Sequence, residues 1–532
     1  MNFPFVCSVI KSLTESSCSH NVSGKKIITL LAGVFVISRI LFLYTGVRFD
    51  SHPLDGSWQY LDPALLRNDL LNSVYYLHSQ PPLFNLFLGL AIKMSAGYES
   101  MTFAVIYTML GLLLSLSMFL IMVRLGVNEK LSFALTVLFM ISPSAILYEN
   151  GLFYTYPVTC LLCLATISIH RLAERATYVD ALIFFLLLAV LVLVRSVFHI
   201  VWFAFFFVVL LIGKRANWKK VVVGFLVPFS VVLLCYGKNL YLFGMFSTSS
   251  WLGMSLAYNT TEKLPVDTVK SLVKKKILSN LSQIEPFSPV SLYLPYLPPV
   301  HETGIPALDN QFKSTGAINY NHIAYLEASK VYLKDSCTVI RYFPITYLVS
   351  VVGAFRVFMI PSNEYHKLRV NRDHIELLES IYNPLFYGQL PSVRGQPLGV
   401  FPKESLGKAI WHRIEQVGFF IVLMYFVAIL YGLKLIYKMA RQRPLDLPFV
   451  LTVSFVWLNI VYVSLVVNFI ANTGENNRFR FMIDPLIVII VGLFLQDKLP
   501  AFFRRWEKPN ITLGNIIDIE RHDKGTKNKF QL

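Results

Sequence analysis

The sequence predicts an all-α polytopic membrane protein, and three observations carry that prediction. Of 532 residues, 55% are hydrophobic and only 15% charged, with a mean hydropathy of +0.56, which excludes a soluble globular enzyme. Apolar runs of about twenty residues, the helical length that crosses a bilayer, recur from Ile27 almost to Gln496. The net charge of +17 would point to nucleic acid in a soluble chain. Here most Lys and Arg sit in short segments bordering the apolar runs, so the partner they imply is the lipid bilayer and not nucleic acid.

The elements follow in order. A polar tail, 1–26, ends in Lys25 and Lys26 before a run at 27–47. The run is too long and its tail too polar for a cleaved signal peptide, so it reads as a retained helix with a cytoplasmic N-terminus. The loop 48–100 then faces outward. Spans are expected at 101–123, ending at Arg124 and Lys130, at 131–148, ending at Glu149, and at 157–170, ending at His170, Arg171 and Arg175. Shorter runs at 179–194 and 200–212 lead into the cytoplasmic turn 213–220, and a span at 221–237 completes an N-terminal membrane module over 27–240. The segment 241–413 is too long to lack structure of its own and is expected outside, with interfacial helices. Its apolar stretch 338–360 is interrupted by Arg341, Pro344 and Arg356 and reads as an interfacial helix. Spans at 417–437, 447–469 and 482–497 form a C-terminal helical part, 414–500, followed by a basic cytoplasmic tail, 501–532. The total is roughly ten spans with both termini inside.

The six cysteines imply no disulfide framework: Cys160, Cys163 and Cys235 lie in apolar runs, Cys7 and Cys18 in the tail, and Cys337 stands apart. No phosphate-binding or dinucleotide glycine motif occurs and no internal repeat stands out, so a site is expected on the face away from the cytosol.

The informative residues are polar ones in that outward layer. Loop 48–63 holds Asp50, Asp55 and Asp62, with Asp69 beyond, and Asp50 follows directly on the first helix. A carboxylate in that partly desolvated zone suits a general base, while Asp62 before Pro63 equally suits a helix N-cap. The stretch His78-Ser-Gln80-Pro-Pro opens an amphipathic run to Lys93, which reads as interfacial. Glu149 and Asn150 form a second acidic point between two spans, able to orient an acceptor or a metal, or simply to cap a helix. Most telling are the outward cations: Arg195 and His199, Lys238, and Arg478 with Arg480 in Glu475-Asn-Asn-Arg-Phe-Arg. An arginine buried at mid-membrane costs roughly 2.5–3.5 kcal/mol, so these call for an anion. That anion is either Glu475 or a lipid phosphate gripped by the guanidinium groups.

An outward Asp after the first helix, a Gln-Pro-Pro element, an acidic second loop and Glu-x-x-Arg-x-Arg before the last helix resemble the GT-C superfamily of membrane glycosyltransferases, nearest its family-39-like and aminoarabinose-transferase-like branches. The resemblance covers the layout of most of the membrane portion and implies a GT-C-type helical bundle. It also implies transfer from a polyprenyl-phosphate sugar to a lipid, glycan or protein acceptor on the extracytoplasmic side. On that resemblance Asp50 would be the base, with Asp55 and Asp62 as rivals, and Glu149 the second-loop acid. Arg478 and Arg480, with Lys238 and Arg195, would hold the donor phosphate. His78, Gln80, Asn150, His199 and Glu475 would line the substrates. The chain departs from the family in having no Asp-Glu pair in loop one and in placing His-x-Gln before the prolines. No cofactor is required; a hard divalent cation would find acidic residues, although no spacing demands one. A transporter or flippase, or a surface-glycan ligase or polymerase, remain the alternatives.

Overall fold

A computed structural model describes residues 22–213, 217–299, 301–389, 416–442, 446–471 and 474–506. Most of the two expected tails, at 1–21 and 507–532, and the end of the loop at 390–415 lie outside the described residues. Among those described the fold is all-α, and the β-type pairings are the isolated bridges Asp50 with Gly151 and Phe312 with Ile318.

The principal helices are α1 (Val22–Tyr44), α2 (Glu99–Arg124), α3 (Glu129–Met140), α4 (Pro143–Glu149), α5 (Thr155–Arg175), α6 (Tyr178–Val194), α7 (Ile200–Gly213) and α8 (Trp218–Phe243). They continue as α9 (Ala324–Tyr342), α10 (Pro344–Phe358), α11 (Phe419–Arg441), α12 (Leu447–Ile470), α13 (Asn476–Phe481) and α14 (Asp484–Trp506). Six described helices are long and apolar enough to cross a bilayer: α1 (from Lys26), α2, α5, α8, α11 and α12. Counting the bent pairs α3–α4 and α9–α10 as one span each raises this to eight, short of the roughly ten expected. Two of the expected spans fall short in length, and α14 is not among the long apolar helices. Helices α6 and α7 have 17 and 14 residues, and the run 131–148 is broken by Ser142-Pro143, where the Ser142 hydroxyl accepts from the Ala145 amide and α4 leaves at 60° to α3.

The stretch 338–360 is not the single helix expected. Its first residues end α9, and Pro344 opens α10 at 108° to it. Proline has no amide to donate and drives the preceding residue out of the helical region, and Phe343 accordingly sits at φ −129°, ψ 53°. The rest of the 241–389 segment builds its own aromatic core around Trp251, Phe287, Tyr293, Tyr320, Tyr325 and Tyr332. A tight turn near Lys313–Gly316 from this segment lies over the first loop. Ser314 donates to the Asp62 carboxylate from its amide and hydroxyl, and Thr315 donates to the Asp55 carbonyl.

Candidate functional site

The site is organised by residues 148–156, between α4 and α5. The Asp50 amide donates to the Asn150 carbonyl at 2.8 Å and the Leu152 amide donates to the Asp50 carbonyl at 3.0 Å, so this stretch holds the first loop by a two-bond bridge. Glu149 anchors the stretch from within the bundle. Its carboxylate takes Arg39 Nε at 2.8 Å, Arg39 Nη2 at 2.5 Å and the Tyr156 hydroxyl at 2.7 Å. Arg39 lies on α1 and spends its remaining nitrogen on the Met140 carbonyl and the Ser38 hydroxyl, both at 3.0 Å. Gly111 on α2 leaves the room this needs, since a Cβ there would strike the Glu149 and Tyr156 oxygens. Glu149 is therefore committed to a forked ion pair, which sets it apart from a carboxylate free to meet an acceptor.

Asp50 is buried, and its Oδ1 accepts from both the His52 amide at 3.0 Å and His52 Nδ1 at 2.8 Å. The imidazole is 85% exposed. Carboxylate and ring thus form an oriented pair with its far nitrogen accessible, an arrangement suited to accepting a proton.

Around the same stretch three cationic side chains and an imidazole converge on Glu475, the residue preceding α13. Arg478 Nη2 pairs with it at 2.9 Å, and Lys367 Nζ and His366 Nε2 lie 3.8 Å away. Arg195, from the end of α6, completes the group through its field on Glu475. Burial alone would raise the Glu475 pKa, but Arg478, Lys367, His366 and Arg195 outweigh it and hold the carboxyl below the ordinary range. Burial likewise opposes the charge on Arg478, yet the neighbouring Glu475 carboxylate favours it and the pKa of that guanidinium is raised. Burial lowers the pKa of His366, which leaves its imidazole neutral near pH 7. The walls are aromatic. The Arg195 guanidinium stacks 4.2 Å from the Tyr154 ring and 5.0 Å from Phe479, and Arg478 lies 5.5 Å from Tyr154, 5.1 Å from Tyr365 and 5.0 Å from Phe479. The Lys367 ammonium sits 5.1 Å over Trp58, which ties this cluster to the first loop.

The other candidates are placed differently. Arg480 is spent on structure: it donates to Asp484, to the Phe358 and Ile360 carbonyls at the end of α10, and to the Ser362 hydroxyl. Asp62 caps the helix Pro63–Asn68 by accepting from the Ala64 amide and is held from the other side by Ser314; Asp55 is exposed. Lys313, buried beside Asp62, donates to the Ser57 carbonyl at 2.8 Å, and burial lowers its pKa to about 8. His78 is fully buried, its Nε2 toward the Asn321 carbonyl and Nδ1 toward the Ser250 hydroxyl, and burial drives its pKa down to about 3. A ring that stays neutral and bonded on both nitrogens is a strut. Gln80 is buried beside it. Lys238 donates to the Tyr75 and Leu77 carbonyls, Asn150 Nδ2 to Ile146 in its own helix, and His199 Nδ1 accepts from the Val201 amide, so these stand apart from the Glu475 cluster.

Sequence reading missed His52, Lys367 and the tyrosines 148, 154 and 365. Tyr148 and Tyr154 had a signal, since together with Tyr156 they flank Glu149 in Tyr148-Glu-Asn-Gly-Leu-Phe-Tyr154-Thr-Tyr156, whereas Tyr365 had none. Lys367 had none, being one cation in a long polar segment. Among the described residues, no three His, Cys, Asp or Glu side chains are arranged to hold a metal ion. No protein-family model, curated protein or solved structure matches the chain.

Proposed function

We propose that the protein is a membrane glycosyltransferase that moves a sugar from a polyprenyl-phosphate carrier to a hydroxyl group of a lipid, glycan or protein acceptor. The reaction faces the extracytoplasmic side, and both termini are cytoplasmic. The observation that carries this reading is the pairing of chemistries around residues 148–156: an Asp50–His52 couple able to take a proton, and a cluster of the buried Arg195 and Arg478 with the half-buried Lys367 that exceeds the charge of Glu475.

Sugar transfer needs both. The acceptor hydroxyl loses its proton to the Asp50–His52 couple as its oxygen bonds the anomeric carbon. The bond from that carbon to the phosphate oxygen breaks, and the electron pair leaves with the phosphate, whose charge rises from one negative to two. Cations fixed in an aromatic-walled site stabilise that growing charge more than they stabilise the donor, which is the requirement for catalysis. A single displacement with one base inverts the anomeric centre, by the logic of inverting glycosidases.

The test is release of polyprenyl phosphate by protein in nanodiscs, offered polyprenyl-phosphate and polyprenyl-diphosphate sugars with crude membrane acceptors. Turnover of a monophosphate donor, reduced about 10²-fold or more in Asp50→Asn, is expected. Full activity of that variant removes Asp50 from the chemistry. Turnover confined to diphosphate donors points to a glycan ligase or polymerase, and sugar movement across the bilayer without transfer to a transporter.

A further inference from the structure

The interior of the cationic cluster contains donors with nothing to donate to. Nε of Arg195, Nε of Arg478 and the hydroxyl groups of Tyr148 and Tyr154 are each buried and have no hydrogen-bond partner among the described residues. The side chains themselves are sealed in, at 7, 2, 0 and 3% exposure. All four belong to one neighbourhood. The Tyr154 ring lies against both guanidinium groups, Tyr148 stacks on Tyr365 at 6.4 Å, and Tyr365 in turn accepts 3.0 Å from Arg478 Nη1 through its hydroxyl oxygen. Buried polar groups in folded proteins are nearly always paired, so four orphans around one arginine mark a place shaped for an absent acceptor.

Charge says what kind of acceptor. Arg195, Arg478 and Lys367 bring three positive charges, Glu475 removes one, and His366 is neutral. The neighbouring charges cancel among themselves, Arg480 against Asp484 and Arg39 against Glu149. The surplus is two. Water would satisfy the hydrogen bonds and leave that surplus standing; a monoanion would leave half of it.

We propose that Tyr148, Tyr154, Arg195 and Arg478 form a site for a doubly charged phosphate monoester, and that it prefers this species to a singly charged phosphodiester. A monoester presents three terminal oxygens to four donors where a diester presents two, and it carries the charge the cluster lacks. This deepens the transferase reading and rests on it for one consequence: the site fits the spent lipid phosphate better than the sugar-bearing donor, so the released carrier holds the enzyme until a downstream phosphate-handling reaction consumes it. Tyr148 and Tyr154 become specificity-determining residues that neither the charge pattern nor the sequence motifs reveal.

The experiment needs neither sugar nor acceptor, so its outcome is independent of whether transfer is observed. Purified protein in nanodiscs is titrated at pH 8 with decaprenyl phosphate, with the methyl diester of the same lipid phosphate, and with inorganic phosphate, following displacement of a fluorescent lipid phosphate. Wild type should bind the monoester roughly tenfold or more tightly than the diester, in line with a charge-assisted bond gained. Tyr148→Phe and Tyr154→Phe, which keep the rings and their packing, should each lose most of that preference while leaving diester affinity near wild type. Inorganic phosphate binding as tightly as the lipid would keep the site and identify its ligand as the free ion. Equal affinity for monoester and diester, a preference unmoved by both Tyr→Phe variants, or no binding of any of the three overturns the proposal.

Discussion

Glu149→Gln is the sharpest probe of how this molecule is held together. The substitution preserves shape and removes one charge, stranding the Arg39 guanidinium inside the bundle. The wild-type carboxylate receives three donors, two from Arg39 at 2.5 and 2.8 Å and one from Tyr156 at 2.7 Å, and is 2% exposed. Breaking a buried pair by removing one partner costs about 3–5 kcal/mol, and that is the destabilisation expected. Arg39→Met, which strands Glu149 instead, should cost a similar amount. Combining Arg39→Met with Glu149→Gln leaves no unpaired charge, so the double variant should fall well short of the sum, with a coupling of about 2 kcal/mol or more. Unfolding free energies from SDS titration in mixed micelles measure all three. Single variants within about 0.5 kcal/mol of wild type, or singles that simply add, would refute the argument that this ion pair anchors residues 148–156.

Two further expectations concern residues that sequence reading placed in the site and the structure places in the scaffold. Arg480→Met leaves Asp484 without its partner and should destabilise the protein by about 3–5 kcal/mol, while the fraction that stays folded binds lipid phosphate normally. Arg478→Met should instead lose that binding, and a phosphate-binding defect of equal size in both variants would contradict the assignment. His78, with its pKa near 3, refuses a proton that the unfolded chain accepts near pH 6.5. Stability should therefore fall as pH drops below about 6.5, by about 1.4 kcal/mol per unit from this residue alone, until the folded ring itself titrates. Thermal unfolding between pH 7 and 4.5 should show a shallower decline in His78→Gln, and parallel curves would count against a buried neutral imidazole.

The fold class was legible because bilayer thickness writes itself into the sequence as run length, and the long helices lie close to where the apolar runs stand. The breaks were harder to see. Ser142-Pro143 interrupts a run of continuous hydropathy, where only the missing proline amide distinguishes a span from an elbow, and at Phe343-Pro344 the charges and proline in the stretch were visible but not the sharp bend they mark. The polar residues were found as a set, because charge near a membrane is conspicuous, yet their roles were not. Glu149 and Arg480 looked like site groups, but each had a partner that sequence order hides: Arg39 lies 110 residues before Glu149, and the carbonyls that Arg480 holds lie about 120 residues before it. Arg39 was visible as a lone charge in the first apolar run that calls for a buried acid, but sequence alone does not choose Glu149 over the nearer Asp50. Tyr148 and Tyr154 stand near Glu149 in the sequence, but what marks them is a buried hydroxyl group without a hydrogen-bond partner, which only the structure shows.

The grip of Arg480 on the end of α10 has a consequence for how the protein is made. The ribosome delivers α1, the first loop and residues 148–156 early, and the 344–362 stretch much later, but nothing caps the Phe358 and Ile360 carbonyls until residue 480 has emerged. Arg478 arrives in the same turn of helix, and the Asn371 side chain must reach back 323 residues to close on Arg48. Nascent chains therefore carry Arg195 with its Tyr154 and without Phe479 until residue 479 is made. Partly assembled chains of this kind expose surface that the finished protein covers, the property that makes folding intermediates depend on chaperones. Truncations that remove α13 and α14 should thus be cleared rather than accumulate as inactive protein.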